Sequence, residues 1–249
     1  MSGVLPLALE KATRALKPLI DSDKEYVCLM RLHGDVDERE LREVLRQFQG
    51  EIYQRPPLRS SVKRVRRIRT VYKIDVIEVD GRDVLFRARV DPGTYMRKLC
   101  VDVGYALGVE AHMEELRRTK SGVFEERDSV DLYDVYEAAS ELKKGNEEPA
   151  RKVVRPLEEA LREFPQVVIS DAAVDPVCRG MKPRGEDILM VDKRIQTGQQ
   201  VVVATKRGEA VALAASNFPF DQLALNKEPL KIKRVIMDAG LYPRPFGSA

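Results

Sequence analysis

The hydrophobic pattern of this chain changes near residue 164, and that change constrains the fold more than any other feature. Before it, apolar residues recur at both helical and strand spacing; after it come five short apolar runs, mostly separated by glycine-containing turns. Five short strands within about eighty residues are typical of a compact β-barrel-like domain. We therefore expect an α+β fold, with a larger mixed domain over residues 1–163 and a smaller β domain over residues 164–249.

The larger region predicts both strands and helices. Apolar alternation predicts strands at residues 25–32, 72–79 and 84–90, and an Asp-Gly step between the last two favours a hairpin. Helical spacing, with Asp37 and Thr94 as N-caps, predicts helices at residues 7–17, from 37 onward, at 94–108, at 111–118 and around 132–139. The 249 residues are enough for one large and one small domain, since a domain typically takes about 100–200 residues.

Charge is segregated along the chain although the totals nearly cancel. The sequence has 43 Lys and Arg against 40 Asp and Glu, a formal net charge of +3. Between residues 59 and 73, however, seven basic side chains occur without any acid: Arg59, Lys63, Arg64, Arg66, Arg67, Arg69 and Lys73. Such a run is either a solvated surface or a site for nucleic acid, because clustered cations create a local positive field. The interleaved Val62, Val65 and Ile68 would anchor the run, which favours RNA binding.

Composition and spacing exclude several classes of protein. No stretch approaches the roughly 20 apolar residues of a membrane-spanning helix, and residues 1–9 lack the basic start of a secretory signal. The three cysteines lie far apart without a Cys-x-x-Cys pair, which argues against zinc and suits a reducing cytoplasm. His33 and His112 have no companion at ligand or triad spacing, so we interpret both as structural. We expect a cytoplasmic protein without a metal site.

Six short segments carry a specific resemblance. They are Ser2-Gly3-Val4-Leu5-Pro6, Lys24-Glu25-Tyr26-Val27-Cys28, Leu32-His33-Gly34-Asp35-Val36, Tyr53-Gln54-Arg55-Pro56-Pro57, Gly93-Thr94-Tyr95-Met96-Arg97 and Leu116-Arg117-Arg118-Thr119-Lys120-Ser121-Gly122. In this order and spacing they resemble the TruB/dyskerin family of pseudouridine synthases, most closely its archaeal, guide-RNA-dependent branch. Residues 165–243 look like the PUA RNA-binding domain that is often fused to these enzymes. The resemblance therefore implies a pseudouridine synthase catalytic domain followed by a small β-barrel-like PUA domain.

The resemblance implies an activity and partners. The activity is isomerisation of a target uridine in rRNA or tRNA to pseudouridine, without a metal or an organic cofactor. The implied partners are the target RNA, a box H/ACA guide RNA and small protein subunits of a ribonucleoprotein particle.

The resemblance also assigns roles to individual residues. Tyr26 would stack on the flipped-out base and Leu116 would line its pocket, although each alone would be an ordinary core residue. Tyr95 is a candidate for proton transfer. Arg97 would pair with the nucleophilic aspartate and keep it ionised; alone it would be a surface arginine. RNA contacts are expected from basic side chains and one glycine: Lys63, Arg64, Arg66, Arg67, Arg117, Arg118, Lys120, Arg179, Gly180 and Lys182.

One departure from the family pattern concerns the nucleophile. The family places it in a Gly-x-Leu-Asp-Pro segment shortly before Ser-Gly-Val-Leu-Pro, and the 249 residues contain no such segment. Asp21, Asp23 and Asp35 stand in the wrong motif context to replace it. We expect the catalytic domain to lack its N-terminal strand and nucleophile loop, and this polypeptide alone to form no pseudouridine. An incomplete reading frame or a noncatalytic paralogue would explain this, and the intact remaining motifs favour the first.

Three functions compete on the sequence alone. The leading one is the catalytic subunit of a guide-RNA pseudouridylation particle. A stand-alone tRNA pseudouridine synthase of the bacterial type is disfavoured, because the Leu-His-Gly-Asp-Val and Tyr-Gln-Arg-Pro-Pro stretches resemble the archaeal and eukaryotic branch. A noncatalytic RNA-binding protein would use the PUA domain and the basic run, with salt-sensitive binding and no isomerase activity.

Overall fold

Two β-sheets organise the computed structural model, which describes residues 2–56 and 63–243. The first sheet contains β1 (Ser2–Gly3), β2 (Lys24–Leu32), β3 (Gly50–Gln54), β4 (Arg67–Asp80), β5 (Asp83–Val90), β6 (Ala111–Ser121) and β7 (Phe124–Glu125). The second contains β8 (Gln166–Ile169), β9 (Ile188–Val191), β10 (Gln200–Ala204), β11 (Ala210–Ser216) and β12 (Leu230–Val235). Pro57, Arg59 and Val62, which belong to the motif and the basic run discussed above, lie outside the described residues.

Helices accompany both sheets, which confirms the α+β class. The α-helices are α1 (Leu16–Ile20), α2 (Glu38–Gln47), α3 (Met96–Ala106), α4 (Leu132–Lys143), α5 (Glu148–Val153), α6 (Leu157–Leu161) and α7 (Asp171–Cys178). Short 3₁₀ helices lie at Glu10–Ala15, Glu126–Asp128, Gly185–Asp187 and Leu223–Leu225. Within the described ranges, no helix is both long and apolar enough to cross a membrane.

The chain divides into two compact units. The described part of the first unit comprises residues 2–6, 19–56 and 63–129, and that of the second comprises Leu7–Pro18 and residues 130–243. The predicted domain boundary at residues 163 and 164 stays a prediction. In this division, helices α4 to α6 group with the second sheet.

The first sheet is built around β2. Its strand order is β1-β6-β2-β5-β4-β3, with β7 pairing β6; β2 is antiparallel to both β5 and β6. Strands β4 and β5 form the predicted hairpin, in which Asp80 pairs with Asp83 across the Gly81-Arg82 turn. Gly81 has a φ of +55°, a left-handed conformation that glycine adopts without steric cost. The Asp-Gly hairpin prediction is therefore confirmed.

Helices α2 and α3 contribute to the core of the first unit. The N-cap prediction for α2 is confirmed, since the Asp37 carboxylate accepts hydrogen bonds from the amides of Arg39 and Glu40. Side chains from one face of the sheet and from both helices are buried together, among them Cys28, Met30, Leu41, Leu45, Phe86, Ala88, Leu99, Cys100 and Val103. We call this face of β2 and β6 the core face and its opposite the outer face.

The helix predicted at residues 111–118 is wrong. This segment is part of β6, which pairs antiparallel with β2 and parallel with β1. Its most buried residues, Ala111, Leu116 and Ser121, are five positions apart, because the register against β2 shifts twice. The bulges break the two-residue alternation, and good helix formers such as Glu114 and Glu115 then favoured a helix. Pairing with neighbouring strands overrides that local propensity.

The predicted cap of α3 is also displaced. Tyr95, not Thr94, occupies the N-cap position, and no side chain caps this end. The Thr94 hydroxyl instead donates to the Asp91 carbonyl oxygen at 2.8 Å. Near the N-terminus, the helix predicted at residues 7–17 is a 3₁₀ helix followed by α1, with Pro18 in the first turn of α1, where proline is tolerated.

The second sheet confirms the five strands predicted after residue 164. Its order is β12-β11-β10-β8-β9, with β8 parallel to β10 and the other pairs antiparallel. The strands bury a separate apolar core that includes Val167, Ile169, Val201, Val203, Val211 and Leu230. Helix α7, which was not predicted, adds Val174 and Val177 to this core. Whether the region is a PUA domain stays a prediction.

Candidate active site and RNA-contacting surfaces

Tyr26 and Arg118 are neighbours on the core face of the first sheet. Tyr26 in β2 pairs with Arg118 in β6 on one side and with Ala88 in β5 on the other. Tyr26 is partly buried and packs against the core that includes Leu116. Leu116 pairs with Cys28 and is 5% exposed. The core face therefore brings three predicted site residues together.

The segment at residues 2–4 runs directly beside Arg118. Gly3 pairs with Arg118, and the amide of Val4 donates to the Arg118 carbonyl oxygen at 2.9 Å. In return, Nε of Arg118 donates to the Val4 carbonyl oxygen at 2.7 Å. Gly3 has a φ of +97°, and a Cβ there would lie 2.1 Å from the Arg118 carbonyl oxygen. Glycine is required because no other residue fits this approach.

Arg117 and Lys120 lie on the outer face, opposite Arg118. Arg117 pairs in register with Val27 and Lys120 with Glu25. Nε of Arg117 lies 2.7 Å from Oε1 of Glu126, and Nζ of Lys120 lies 3.9 Å from Oε1 of Glu125. Successive strand residues point to opposite faces, so the predicted cluster of Arg117, Arg118 and Lys120 is divided between two surfaces.

The start of α3 is held by Gln54, which sequence reasoning missed. The Tyr95 amide donates to Oε1 of Gln54 at 2.9 Å, and Nε2 of Gln54 donates to the Tyr95 carbonyl oxygen at 3.2 Å. Gln54 is only 2% exposed. One side chain thus contacts both backbone groups of the N-cap residue, whose carbonyl oxygen also accepts from the Leu99 amide at 3.0 Å. The sequence signal that could have identified Gln54 is its position directly before the Arg-Pro-Pro stretch.

The turn before α3 is organised by Asp91. Its carboxylate accepts from the Thr70 amide at 2.7 Å and from the Tyr72 hydroxyl at 2.6 Å. Partial burial raises the pKa of Asp91, but these hydrogen bonds, together with the Arg69 charge, outweigh it and lower the pKa below 3.8 overall. Gly93 follows with a φ of +75°, which permits the reversal that leads into Tyr95.

Lys24 supports the start of β2 and was also missed. It is 9% exposed, and its ammonium donates to the carbonyl oxygens of Leu19 at 2.9 Å and Ser22 at 2.6 Å. Burial, followed by the nearby charge of Arg118, lowers the pKa of Lys24 below 10.5. The lysine of the Lys-x-Tyr segment therefore ties down the turn that precedes Tyr26.

Arg97 is exposed on α3, one position after Met96. Among residues 2–56 and 63–243, no hydrogen bond or ion pair engages its guanidinium. The carboxylate partner predicted for Arg97 is therefore not found in the described part of the chain. Tyr95 is partly buried one residue from the helix start.

Two further groups of predicted RNA contacts belong to other segments of the chain. Lys63, Arg64 and Arg66 are exposed and Arg67 is half-buried at the start of β4; ion pairs between these four side chains and the described acids are absent. In the second unit, Arg179 contacts the buried Asp175 at 2.8 Å and Lys182 contacts Glu228 at 2.9 Å. Gly180 has a φ of +92° and open space at its Cβ position.

Comparison with known proteins identifies the chain's family. Residues 1–96 match the family model described as the N-terminal domain of TruB family pseudouridylate synthases, and residues 97–162 match the C-terminal domain of tRNA pseudouridylate synthase B. The chain belongs to the TruB family of pseudouridine synthases. Membership assigns it to the isomerases and confirms the resemblance seen in the motifs.

Two similar proteins from archaea match this TruB family member over nearly its whole length. It is 49% identical over 250 residues to a probable tRNA pseudouridine synthase B of Methanopyrus kandleri, covering 99% of this chain and 74% of the relative. The corresponding protein of Methanocaldococcus jannaschii is 46% identical over 248 residues, covering 98% of this chain and 74% of that protein.

Solved structures show the same fold. A chain in a Cbf5-Nop10-Gar1 complex matches with a TM-score of 0.91 and 44% identity, over 98% of this chain and 75% of that one. A chain in an archaeal box H/ACA Nop10-Cbf5 complex matches with a TM-score of 0.89 and 40% identity, over 98% and 76%. A third lies in an H/ACA particle bound to a substrate RNA containing 2′-deoxyuridine, with a TM-score of 0.86, 40% identity, and 95% and 73% coverage.

Proposed function

We propose that this TruB family protein is the catalytic subunit of a box H/ACA guide-RNA-directed pseudouridylation particle. The likeness to chains in H/ACA complexes carries the proposal, because it spans 98% of the protein at a TM-score of 0.91. One such complex holds a substrate RNA. Its partners would be guide RNA, target RNA and small protein subunits of the kind named in those complexes.

The proposed reaction converts a uridine into its isomer. The bond between N1 and C1′ breaks, a bond between C5 and C1′ forms, and the proton lost from C5 is balanced by one gained at N1. The base must first leave the helix stack, at a cost of a few kcal/mol. Stacking on Tyr26 would offset about 1–3 kcal/mol of that cost, with Leu116 lining the pocket. Tyr95 is the candidate for proton transfer.

The nucleophile is the part of this proposal that the 249 residues do not supply. They contain no Gly-x-Leu-Asp-Pro segment, and two of the three aspartates considered above are already paired: Asp23 pairs with Arg89, and Asp35 pairs with Arg82 at 2.7 Å. Arg97 is exposed and free of partners in the described ranges, so its guanidinium could pair with the carboxylate of a nucleophilic aspartate. We infer that these 249 residues by themselves do not form pseudouridine.

RNA would be held mainly by the basic run. Lys63, Arg64, Arg66 and Arg67 are without acidic partners in the described part of the chain, so their charges are available to phosphate. Neutralising phosphates releases counterions, which makes binding fall with salt concentration. In the second unit, which we propose to be a PUA domain, Arg179 and Lys182 would have to exchange an existing ion pair for RNA, and Gly180 would allow close approach.

The decisive experiment compares three polypeptides in a pseudouridine assay. They are the 249 residues alone, the same residues with a segment of the family's Gly-x-Leu-Asp-Pro pattern joined in front, and that fusion with the aspartate changed to asparagine. Target RNA is offered with its guide RNA and partner subunits. We expect conversion only by the second polypeptide. Conversion by the first would overturn the inference about the nucleophile, and inactivity of all three would favour a noncatalytic RNA-binding protein.

A second candidate follows from the relatives' names, which describe tRNA pseudouridine synthases. A stand-alone enzyme would modify tRNA without guide RNA or partner subunits. The same fusion assayed on tRNA alone distinguishes the two: guide-independent conversion supports the stand-alone enzyme, and dependence on guide RNA supports the particle.

A further inference from the structure

The two histidines of the chain meet on the outer face of the first sheet. His33 follows β2, His112 lies in β6, and the sequence contains only these 2 histidines. Nε2 of His33 lies 2.7 Å from Nδ1 of His112. The side chains are 43% and 46% exposed, so solvent and ions can reach both rings. The pairing was not expected, since the two residues are 79 positions apart.

Each ring also contacts a carboxylate through its other nitrogen. Nδ1 of His33 lies 3.4 Å from Oε2 of Glu110, and Nε2 of His112 lies 2.9 Å from Oε2 of Glu114. A neutral imidazole carries a single N–H. If both outer nitrogens are protonated towards the glutamates, the facing nitrogens present two lone pairs to each other. If His33 is protonated on Nε2 instead, its Nδ1 lone pair faces the Glu110 carboxylate. A cation bound by the two facing nitrogens removes both kinds of repulsion, between the two lone pairs and between a lone pair and a carboxylate.

We propose that His33 and His112 form a chelating site for a divalent late first-row metal ion such as zinc or nickel. Imidazole nitrogen is a preferred ligand of these metals. Metal-bound histidines usually donate their second N–H to a carboxylate, which is the arrangement that Glu110 and Glu114 offer. The proposal does not depend on the proposed function, because the site lies on the opposite face from Tyr26 and Leu116.

The geometry needs only a small adjustment. With zinc–nitrogen bonds of about 2.1 Å at a tetrahedral angle, the facing nitrogens would stand about 3.4 Å apart. The rings would therefore open by about 0.7 Å from their present separation and turn so that both lone pairs point at the metal, which exposed side chains can do. Among the described residues, no group of three or more potential ligands forms a metal site. Two protein nitrogens completed by water give an open, exchangeable site rather than a closed structural one.

Neighbouring charges favour a cation here. Arg31 stands opposite His112 in the strand pairing, but its guanidinium is engaged by Asp83, with Nε donating to Oδ1 at 2.7 Å. Glu110 and Glu114 then leave an excess of negative charge beside the rings. Magnesium prefers oxygen ligands, so it should not compete.

Zinc chloride titrated into untagged protein tests the site, since a histidine tag would bind the metal. The Cys178→Ser background removes the one partly exposed thiol. We expect one zinc ion per chain by calorimetry and, by NMR, joint shifts of Nε2 of His33 and Nδ1 of His112. Magnesium chloride should change neither. The alternative is that the two rings only share a proton. The chelate is refuted if zinc at 1 mM shifts neither of these two nitrogen signals, or shifts only one of them.

Substitutions separate the chelate from adventitious binding. His33→Gln and His112→Gln should each weaken zinc binding by about tenfold or more. Glu114→Gln should weaken it by about 10–100-fold. Glu115→Gln is the matched control, because Glu115 is exposed on the same strand and pairs with Leu29. Unchanged affinity in either histidine variant, at an unchanged metal-free melting temperature, would overturn the proposal. If the Glu114 and Glu115 variants bind zinc with equal affinity, the Glu114 carboxylate has no role in binding the metal.

Discussion

The two faces of β2 and β6 hold their side chains by different forces. On the core face, Cys28, Met30 and Leu116 are buried, at a gain of about 25 cal/mol per Å² of apolar area. On the outer face, Arg117 and Lys120 contact glutamates near the surface, and exposed ion pairs contribute about 0–1 kcal/mol. Packing therefore fixes the geometry around Tyr26, whereas the outer face can rearrange for ions or RNA at little cost in stability.

The largest loss of stability should come from a cavity in the core face. Leu116→Ala removes buried methyl groups and leaves a cavity, so we expect the free energy of unfolding of the first unit to fall by about 2–5 kcal/mol. Hydrogen exchange of the β2 and β6 amides measures this in the first unit itself. Leu116→Met, which nearly conserves volume, should cost less than about 1.5 kcal/mol. Equal protection in the alanine variant and the parent would show that burial does not hold this face.

The next effect concerns the start of α3. Gln54→Ala leaves the Tyr95 amide without its partner, whereas the Tyr95 carbonyl oxygen keeps its hydrogen bond from the Leu99 amide. We therefore expect a loss of about 1–3 kcal/mol and faster exchange in the first turn of α3. Gln47→Ala, an exposed glutamine on α2, is the matched control, with an expected change within about 0.5 kcal/mol. If both variants exchange alike, Gln54 does not position Tyr95.

A pH-dependent effect is expected at Asp91. Its pKa is lower in the folded protein than its ordinary 3.8, so the unfolded chain binds the proton more tightly and stability falls on acidification. The contribution is fully present above about pH 4 and is lost as the pH falls through the folded pKa. Asp91→Asn should be less stable than the parent at pH 7, with the difference shrinking as the pH falls below 3.8. A difference in urea midpoint that stays constant over this range would contradict the assignment.

The smallest effect should come from the outer face. Arg117→Ala breaks the contact with Glu126, and we expect it to change the unfolding free energy by less than about 1 kcal/mol. The change should shrink further in 1 M salt, because salt screens exposed charges. The change in unfolding free energy is measured for Arg117→Ala and for Glu126→Ala at low and at high salt. A loss as large as that of Leu116→Ala would abolish the contrast between the faces.

Local patterns in the sequence predicted much of the fold. The β4–β5 hairpin, the Asp37 cap and the five strands of the second sheet each depend on turn chemistry or apolar periodicity within a few residues. The same approach failed at β6, where two register shifts break the alternation and helix-forming residues fill the strand. It also failed at α7, whose eight residues are too few to show a clear helical period.

Motif order in the sequence was enough to establish the family, because six segments in register leave little room for coincidence. Tertiary structure decided which residues meet. It placed Arg118 beside Tyr26 and Arg117 on the opposite face, joined Gln54 to Tyr95 across 41 positions, and brought His33 to His112 across 79. Strand pairing sets these contacts, and a shift of one residue reverses the face of every side chain. Register arises from the packing of the whole sheet, so no local stretch of sequence contains it.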